Sequence, residues 1–262
     1  MRTVNLENYS TLQTQTNAGH LTDRYKFVPT SEVVNVLQDY GWQPVSVKQA
    51  AVRAEGKDGF QKHIVRLENP SYAVTSTVDS YAPQIVLTNS HNGSGAFKLQ
   101  MGVFRLVCLN GMVTGDTYAT ETIRHVGFAT DKVESAARVM ADSAPRVIST
   151  IQKMQDIELD PSQYQWLAHE AVKVRFPELT YAPYINWNAN AIGVANRRVD
   201  EGLDLWKCFN RMQENCIRGH RYQKFYTNNE AKAPRRLPTV NNIGRDLKIN
   251  SQLWDLAEAF VN

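Results

Sequence analysis

The feature that most constrains this chain is a change of hydrophobic period near its middle. Up to about His125, apolar residues recur at every second position or in short unbroken runs. Val45-Ser46-Val47-Lys48 and His63-Ile64-Val65-Arg66-Leu67 alternate, while Ile85-Val86-Leu87 and Phe104-Arg105-Leu106-Val107-Cys108 are nearly continuous. Alternation marks strands with one covered face, and continuous runs mark strands nearer the core. From Asp131 the period becomes helical: Val133, Ala137, Met140, Ala144, Val147, Ile151 and Met154 follow one another at steps of four and three, which places them on one stripe. Strands followed by helices, rather than alternating with them, predict an α+β fold. The expected form is an antiparallel sheet over about residues 42–128, packed against helices from the C-terminal half.

Punctuation residues refine this. Thr30 or Ser31 is positioned to cap a helix of about ten residues that carries Val33, Val34 and Leu37 and ends before Gly41. Asp160-Pro161 supplies an N-cap and a first-turn proline for a stripe of Tyr164, Leu167, Ala168, Ala171 and Val174. Pro145 predicts a kink or a fresh start in the long helical stretch. Leu205, Phe209, Met212 and Cys216 form another stripe that ends before Gly219, and Asn250 is the expected cap of a last helix bearing Leu253, Leu256, Ala257 and Phe260. Residues 1–23 are polar and lack a period, so they read as an N-terminal arm, followed by one domain over 24–262 that holds a basic irregular segment at 220–249.

The 262-residue length is enough to bury a core without staples. Cys108, Cys208 and Cys216 show no metal-ligand spacing and sit among apolar neighbours, so they are expected as reduced, buried thiols. Met1 to Asn8 lacks the apolar run of a secretory signal, and no stretch approaches the length of a membrane span. The expected place is the cytoplasm of a bacterial host cell, with no membrane partner.

Charge is unevenly spread. Between Lys207 and Lys248 ten basic residues face three acidic ones, a net of +7, which leaves −4 for the rest of a chain whose total is +3. At 100° per residue, Lys207, Arg211, Glu214 and Arg218 fall opposite the apolar stripe of their helix, which predicts an outward row. Beyond it, Arg221, Tyr222, Lys224, Phe225, Tyr226, Arg235 and Arg236 interleave cations with rings. That combination neutralises phosphates while stacking bases. The nucleic-acid-binding set is therefore Lys207, Arg211, Arg218, Arg221, Tyr222, Lys224, Phe225, Tyr226, Arg235 and Arg236.

A second candidate is the loop around Asn89-Ser90-His91-Asn92-Gly93-Ser94-Gly95, with His91, Ser94 and Lys98 as ligand-contact residues. Asn-Gly is a hairpin signal because both residues tolerate positive φ. As a simple hairpin it predicts that His91→Ala leaves the fold intact and that Gly93→Val is worse, because a β-branched residue resists positive φ. No helix start follows Gly95 to complete a phosphate loop. His20, His63, His125, His169 and His220 are scattered, HExxH and GxSxG patterns do not occur, and the reading leans away from an enzyme, with no catalytic residue, metal or cofactor assigned.

Several separated motifs carry a resemblance. Arg24-Tyr25-Lys26-Phe27-Val28-Pro29-Thr30, Leu87 to Gly95, Phe104 to Gly111, Leu205-Trp206, Gln213-Glu214-Asn215, Arg218-Gly219 and Asn250 to Trp254 occur in the order found in the phage- and plasmid-related family of domain of unknown function 932, which the chain resembles nearly end to end. One departure is Asn92, where the family usually has Asp. The resemblance implies a mobile-element setting and no chemistry. The function expected is a phage or plasmid nucleic-acid-binding protein, with single-strand binding or annealing in recombination or replication as its finer form and a homo-oligomer as its state. The alternatives are a counter-defence module that binds a host restriction or immunity protein, and a nucleotide-handling enzyme using the His91 loop.

Overall fold

The computed structural model describes residues 4–22, 25–52, 54–75, 79–105, 110–113, 120–123, 130–177, 192–219, 223–224, 235–236 and 238–261. The chain has an α+β fold and forms two compact units, Met1–Val147 and Ile148–Asn262.

The first unit is built on an antiparallel sheet whose main path runs β1 (Gln43–Gln49), β2 (His63–Glu68), β4 (Ser80–Asn89), β5 (Phe97–Arg105) and β6 (Asn110–Val113). Short β3 (Val74–Thr75) pairs with β4, and β7 (Thr120–Ile123) pairs with the opposite half of β5 from β6. β4 is the centre. Every residue from Tyr81 to Asn89 is buried, as expected of a strand covered on both faces. β1 alternates and lies at an edge, where Pro44 and an irregularity between Pro44 and Ser46 interrupt the register. An edge is where a sheet tolerates proline.

Around the sheet lie α1 (Ser10–Gln13), α2 (Thr30–Asp39) and the start of α3 (Thr130–Asp156). The predicted stripe of α3 is buried throughout, from Val133 at 1% exposure to Met154 at 0%. The helix runs on through Pro145 as one element rather than restarting there. α2 buries Val33, Val34 and Leu37, and Gly41 follows at φ +84°. Its expected cap is corrected: Pro29 holds the cap position, and the Thr30 hydroxyl is used elsewhere. The N-terminal stretch expected as an arm also differs, since Thr11 and Leu12 are buried at 0% and 2% exposure.

The second unit packs α4 (Pro161–Arg175), α5 (Leu205–Arg218) and α6 (Ile243–Glu258) against one another. Asp160 and Gln163 make a reciprocal capping box at the start of α4, which satisfies amides the first helical turn leaves open. Asp204 caps α5, which ends at Gly219 with φ +68°. The last helix begins earlier than expected, with Asn242 as its cap. Asn250 lies inside it, buried, donating to the Asp246 carbonyl and accepting from Gln213 of α5. Phe209 links the core, stacked on Trp206 and edge-on to Trp254. Between α5 and α6 a two-stranded ribbon pairs β8 (Gln223–Lys224) with β9 (Arg235–Arg236).

Candidate functional site

The apolar stripe of α5 is buried as its spacing predicts, but the middle of its basic row is not outward. Arg211 is 6% exposed and Glu214 is 2% exposed. These two are buried because a chain segment covers them. Arg211 Nη1 donates to the carbonyls of Asp200 and Gly202, its Nη2 donates to Cys208 Sγ, and its guanidinium lies over the Tyr164 ring. Glu214 receives both Nη groups of Arg197, at 2.5 and 2.7 Å. Asn215 Nδ2 donates to the carbonyls of Ile192 and Val194, and Asn196 donates back to the Asn215 side-chain oxygen. Gln213 faces the other way and donates to Asn250. The Gln213-Glu214-Asn215 motif is thus a staple: one residue ties α5 to α6, and two bind the segment 192–200 along the helix. Arg211 leaves the set of phosphate contacts for the same reason, because its guanidinium is spent on carbonyls.

Lys207 and Arg218 keep partly open side chains, at 32% and 33% exposure, in ion pairs with Asp204 at 2.8 Å and Glu214 at 3.7 Å. The Lys207 pair is the more open of the two, because the Glu214 carboxylate is only 2% exposed. Lys224, Arg235 and Arg236 fall on the ribbon, whose register sets Lys224 opposite Arg235 and Gln223 opposite Arg236. Arg221, Tyr222, Phe225 and Tyr226 lie outside the described residues. One aromatic that the sequence does not flag is Trp166 of α4. It is 47% exposed and edge-on to Phe260 at 5.6 Å, and it escapes notice because it stands one position before the apolar stripe it borders.

The loop from β4 to β5 does turn at Gly93, where φ is +74°. Asn92 Oδ1 accepts from the Ser94 amide. His91, Ser94 and Lys98 do not converge. Ser94 is exposed, with its hydroxyl on Ser90, while Lys98 sits on β5 opposite Thr88 of β4 and Thr122 of β7. His91 is fully buried and donates from Nε2 to the carbonyl of Thr11 at 3.0 Å, packed against Phe27 and His63. The simple-hairpin expectation that His91→Ala is harmless is therefore corrected: a core side chain occupies that position.

His63, which the sequence offers only as one scattered histidine, is the centre of this cluster. Its Nδ1 lies 3.0 Å from the Gln61 carbonyl, which can only accept, so Nδ1 carries the hydrogen and Nε2 accepts from the Thr30 hydroxyl at 2.8 Å. Thr30 in turn accepts from Asn89 Nδ2 at 3.0 Å, and Asn89 also holds the Val28 carbonyl. Burial lowers the His63 pKa to about 4, with a further push from His91. Such a ring stays neutral and organises the core.

The thiols are equally closed. Cys208 and Cys216 are free and buried. Burial raises their pKa values to about 11 and about 12, against the opposing pull of Arg211 on the first and Arg175 on the second. Cys108 lies outside the described residues. Among the described residues, no group of three or more His, Cys, Asp or Glu is placed to hold a metal ion, and no helix is long and apolar enough to cross a membrane.

Comparison with known proteins adds a family and no activity. The family model described as "Domain of unknown function (DUF932)" matches residues 18–254. Two proteins of Escherichia coli (strain K12), the "UPF0380 protein YafZ" and the "UPF0380 protein YfjQ", are each 32% identical over 241 residues, covering 92% of this chain and 84% of theirs. No solved structure matches.

Proposed function

The chain belongs to the domain of unknown function 932 family, and from that premise, which supplies no chemistry, we propose that it binds single-stranded nucleic acid through the basic segment after α5. The observation that carries this reading is the register of the β8–β9 ribbon, which puts Lys224 opposite Arg235. Cationic residue types at opposed ribbon positions suit a phosphate backbone, which releases counterions as it binds.

The composition around the ribbon supports the same partner. Tyr222, Phe225 and Tyr226 flank β8 in sequence, Arg236 extends the cationic positions on β9, and the half-exposed Trp166 offers an additional ring face in the same unit. Rings interleaved with cations favour single strands over duplex, because they stack on unpaired bases. Lys207 and Arg218, at 32% and 33% exposure, lend charge at the edge. In its finer form this reading is annealing of single strands during recombination or replication of a mobile element in the cytoplasm of a bacterial host, by a homo-oligomer.

Fluorescence anisotropy with labelled single-stranded and duplex oligonucleotides at low salt tests the reading, with light scattering on the same samples to follow assembly. Tighter binding of the single strand, with little sequence preference, is expected. Absence of binding to any oligonucleotide at low salt contradicts it and favours a module that binds a host protein.

A further inference from the structure

The cluster around His63 has a cover. Residues 4–22 cross it and are fastened by polar contacts to three separate places. Ser10 donates to Asp58, the Thr14 hydroxyl donates to the Gly59 carbonyl, and Thr11 meets Gln49 at the end of β1. The Thr11 carbonyl takes the Nε2 hydrogen of His91, and the Ala18 amide donates to the His91 carbonyl. Leu12 is the one apolar side chain of this stretch buried to 2% exposure. A segment held by single hydrogen bonds, one buried leucine and the contact of Leu21 at Gly93 opens at lower free energy than the sheet beneath it. The family match begins at residue 18, so Thr11, Leu12 and Thr14 lie outside it, whereas Thr30, His63, Asn89 and His91 lie within it.

The junction beneath works in one protonation state. Thr30 Oγ1 donates its single hydrogen to His63 Nε2 and accepts from Asn89 Nδ2, with His91 Nε2 also facing it at 3.5 Å. A proton on His63 turns Nε2 from acceptor to donor. Asn89 Nδ2 and the new His63 Nε2 hydrogen then take both lone pairs of that oxygen, and its own hydrogen loses its acceptor. The two imidazoles are 5.1 Å apart between centroids, so a charge on one also opposes a charge on the other.

We propose that residues 4–22 form a proton-sensitive strap: uptake of a proton at His63 breaks the Thr30 junction and lets the strap lift while the sheet stays folded. Among the described residues, the other titratable groups near the junction are His91 in the β4–β5 loop, Tyr25 before α2 and Asp58 in the turn before β2. Tyr25 donates to the Ser90 carbonyl and, with its pKa raised by burial to about 12, stays neutral. Asp58 is held ionised by its hydrogen bonds from Ser10 and Gln61.

The direction follows from linkage. His63 binds its proton less readily in the closed form, near pH 4, than at its ordinary value of 6.5. The closed form therefore has its full stability above about pH 6.5 and loses it as pH falls toward 4. If opening restores the ordinary value, the open population grows roughly 30-fold from pH 7.5 to pH 5.0.

Amide hydrogen exchange of the full chain, followed by mass spectrometry at those two pH values and corrected for the intrinsic pH dependence of exchange, tests this. Peptides within 4–22 are expected to open roughly 30-fold more at pH 5.0, with those of β2 and β4 unchanged. In His63→Gln, whose side chain offers an acceptor and a donor without a titrating charge, the strap is expected to lose that pH dependence. If the variant does not fold, the wild-type comparison decides alone. Strap exchange that is flat with pH, or strap and sheet opening together, overturns the proposal.

Discussion

Glu214 shows how one residue changes the meaning of a helix. A carboxylate at 2% exposure is costly unless paired, and its pair with both Nη groups of Arg197 draws the segment 192–200 over α5. Arg197→Ala leaves that carboxylate buried with its main partner gone and is expected to cost about 3 kcal/mol of unfolding free energy, read by urea denaturation. A loss below about 0.5 kcal/mol, typical of an exposed pair, would show that the staple is superficial. Gly93 makes the complementary case. Its φ is +74° and an added Cβ would lie 2.6 Å from Leu21 Cδ2, so Gly93→Val is expected to lower the melting temperature more than Gly93→Ala, because a β-branched residue resists positive φ. His91→Ala is now expected to destabilise as well, by about 2 kcal/mol for a buried side chain and the carbonyl it leaves. A thermal melt of the three variants checks the ranking, and an unperturbed His91→Ala protein would remove His91 from the core.

At the scale of elements, the reduced thiols give a direct test of α5. Cys208 holds roughly 100-fold less thiolate at pH 8 than an ordinary cysteine, because burial raises its pKa to about 11. Both Cys208 and Cys216 are expected to react slowly with a thiol reagent in the native protein and quickly in denaturant. Fast native labelling of either would contradict the buried helix. Apolar spacing made the inner faces of α3, α4 and α5 legible, since burial of Val133, Leu167 or Phe209 follows from periodicity alone. The other side of α5 was not legible: Arg211 and Glu214 have the composition of a solvated face, and only the segment 192–202, with no period of its own, turns them inward. The same holds for His91, because its covering partner is a polar stretch that sequence pattern reads as loose. Asn242 is hard to see as a cap because the apolar stripe thickens only from Leu253, and the first two turns of α6 are carried by Ile243 and Ile249.

For the whole molecule, charge is the property that connects structure to the proposed function. With Arg211 bound to backbone carbonyls, the ribbon positions Lys224, Arg235 and Arg236 are part of a positive excess after α5 that also includes Arg221, Lys232, Arg245 and Lys248, with Lys207 and Arg218 on α5 itself. Reversing both Arg235 and Arg236 should weaken every oligonucleotide alike, because phosphate contacts carry no sequence information. The most direct measurement is the dependence of log K on log salt for a labelled single strand, by fluorescence anisotropy, in wild type and in Arg235→Glu/Arg236→Glu. Two lost phosphate contacts should flatten the slope by about 1.4, at about 0.7 per contact on a single strand. A wild-type protein whose binding is insensitive to salt, or a double variant with an unchanged slope and affinity, would contradict the account.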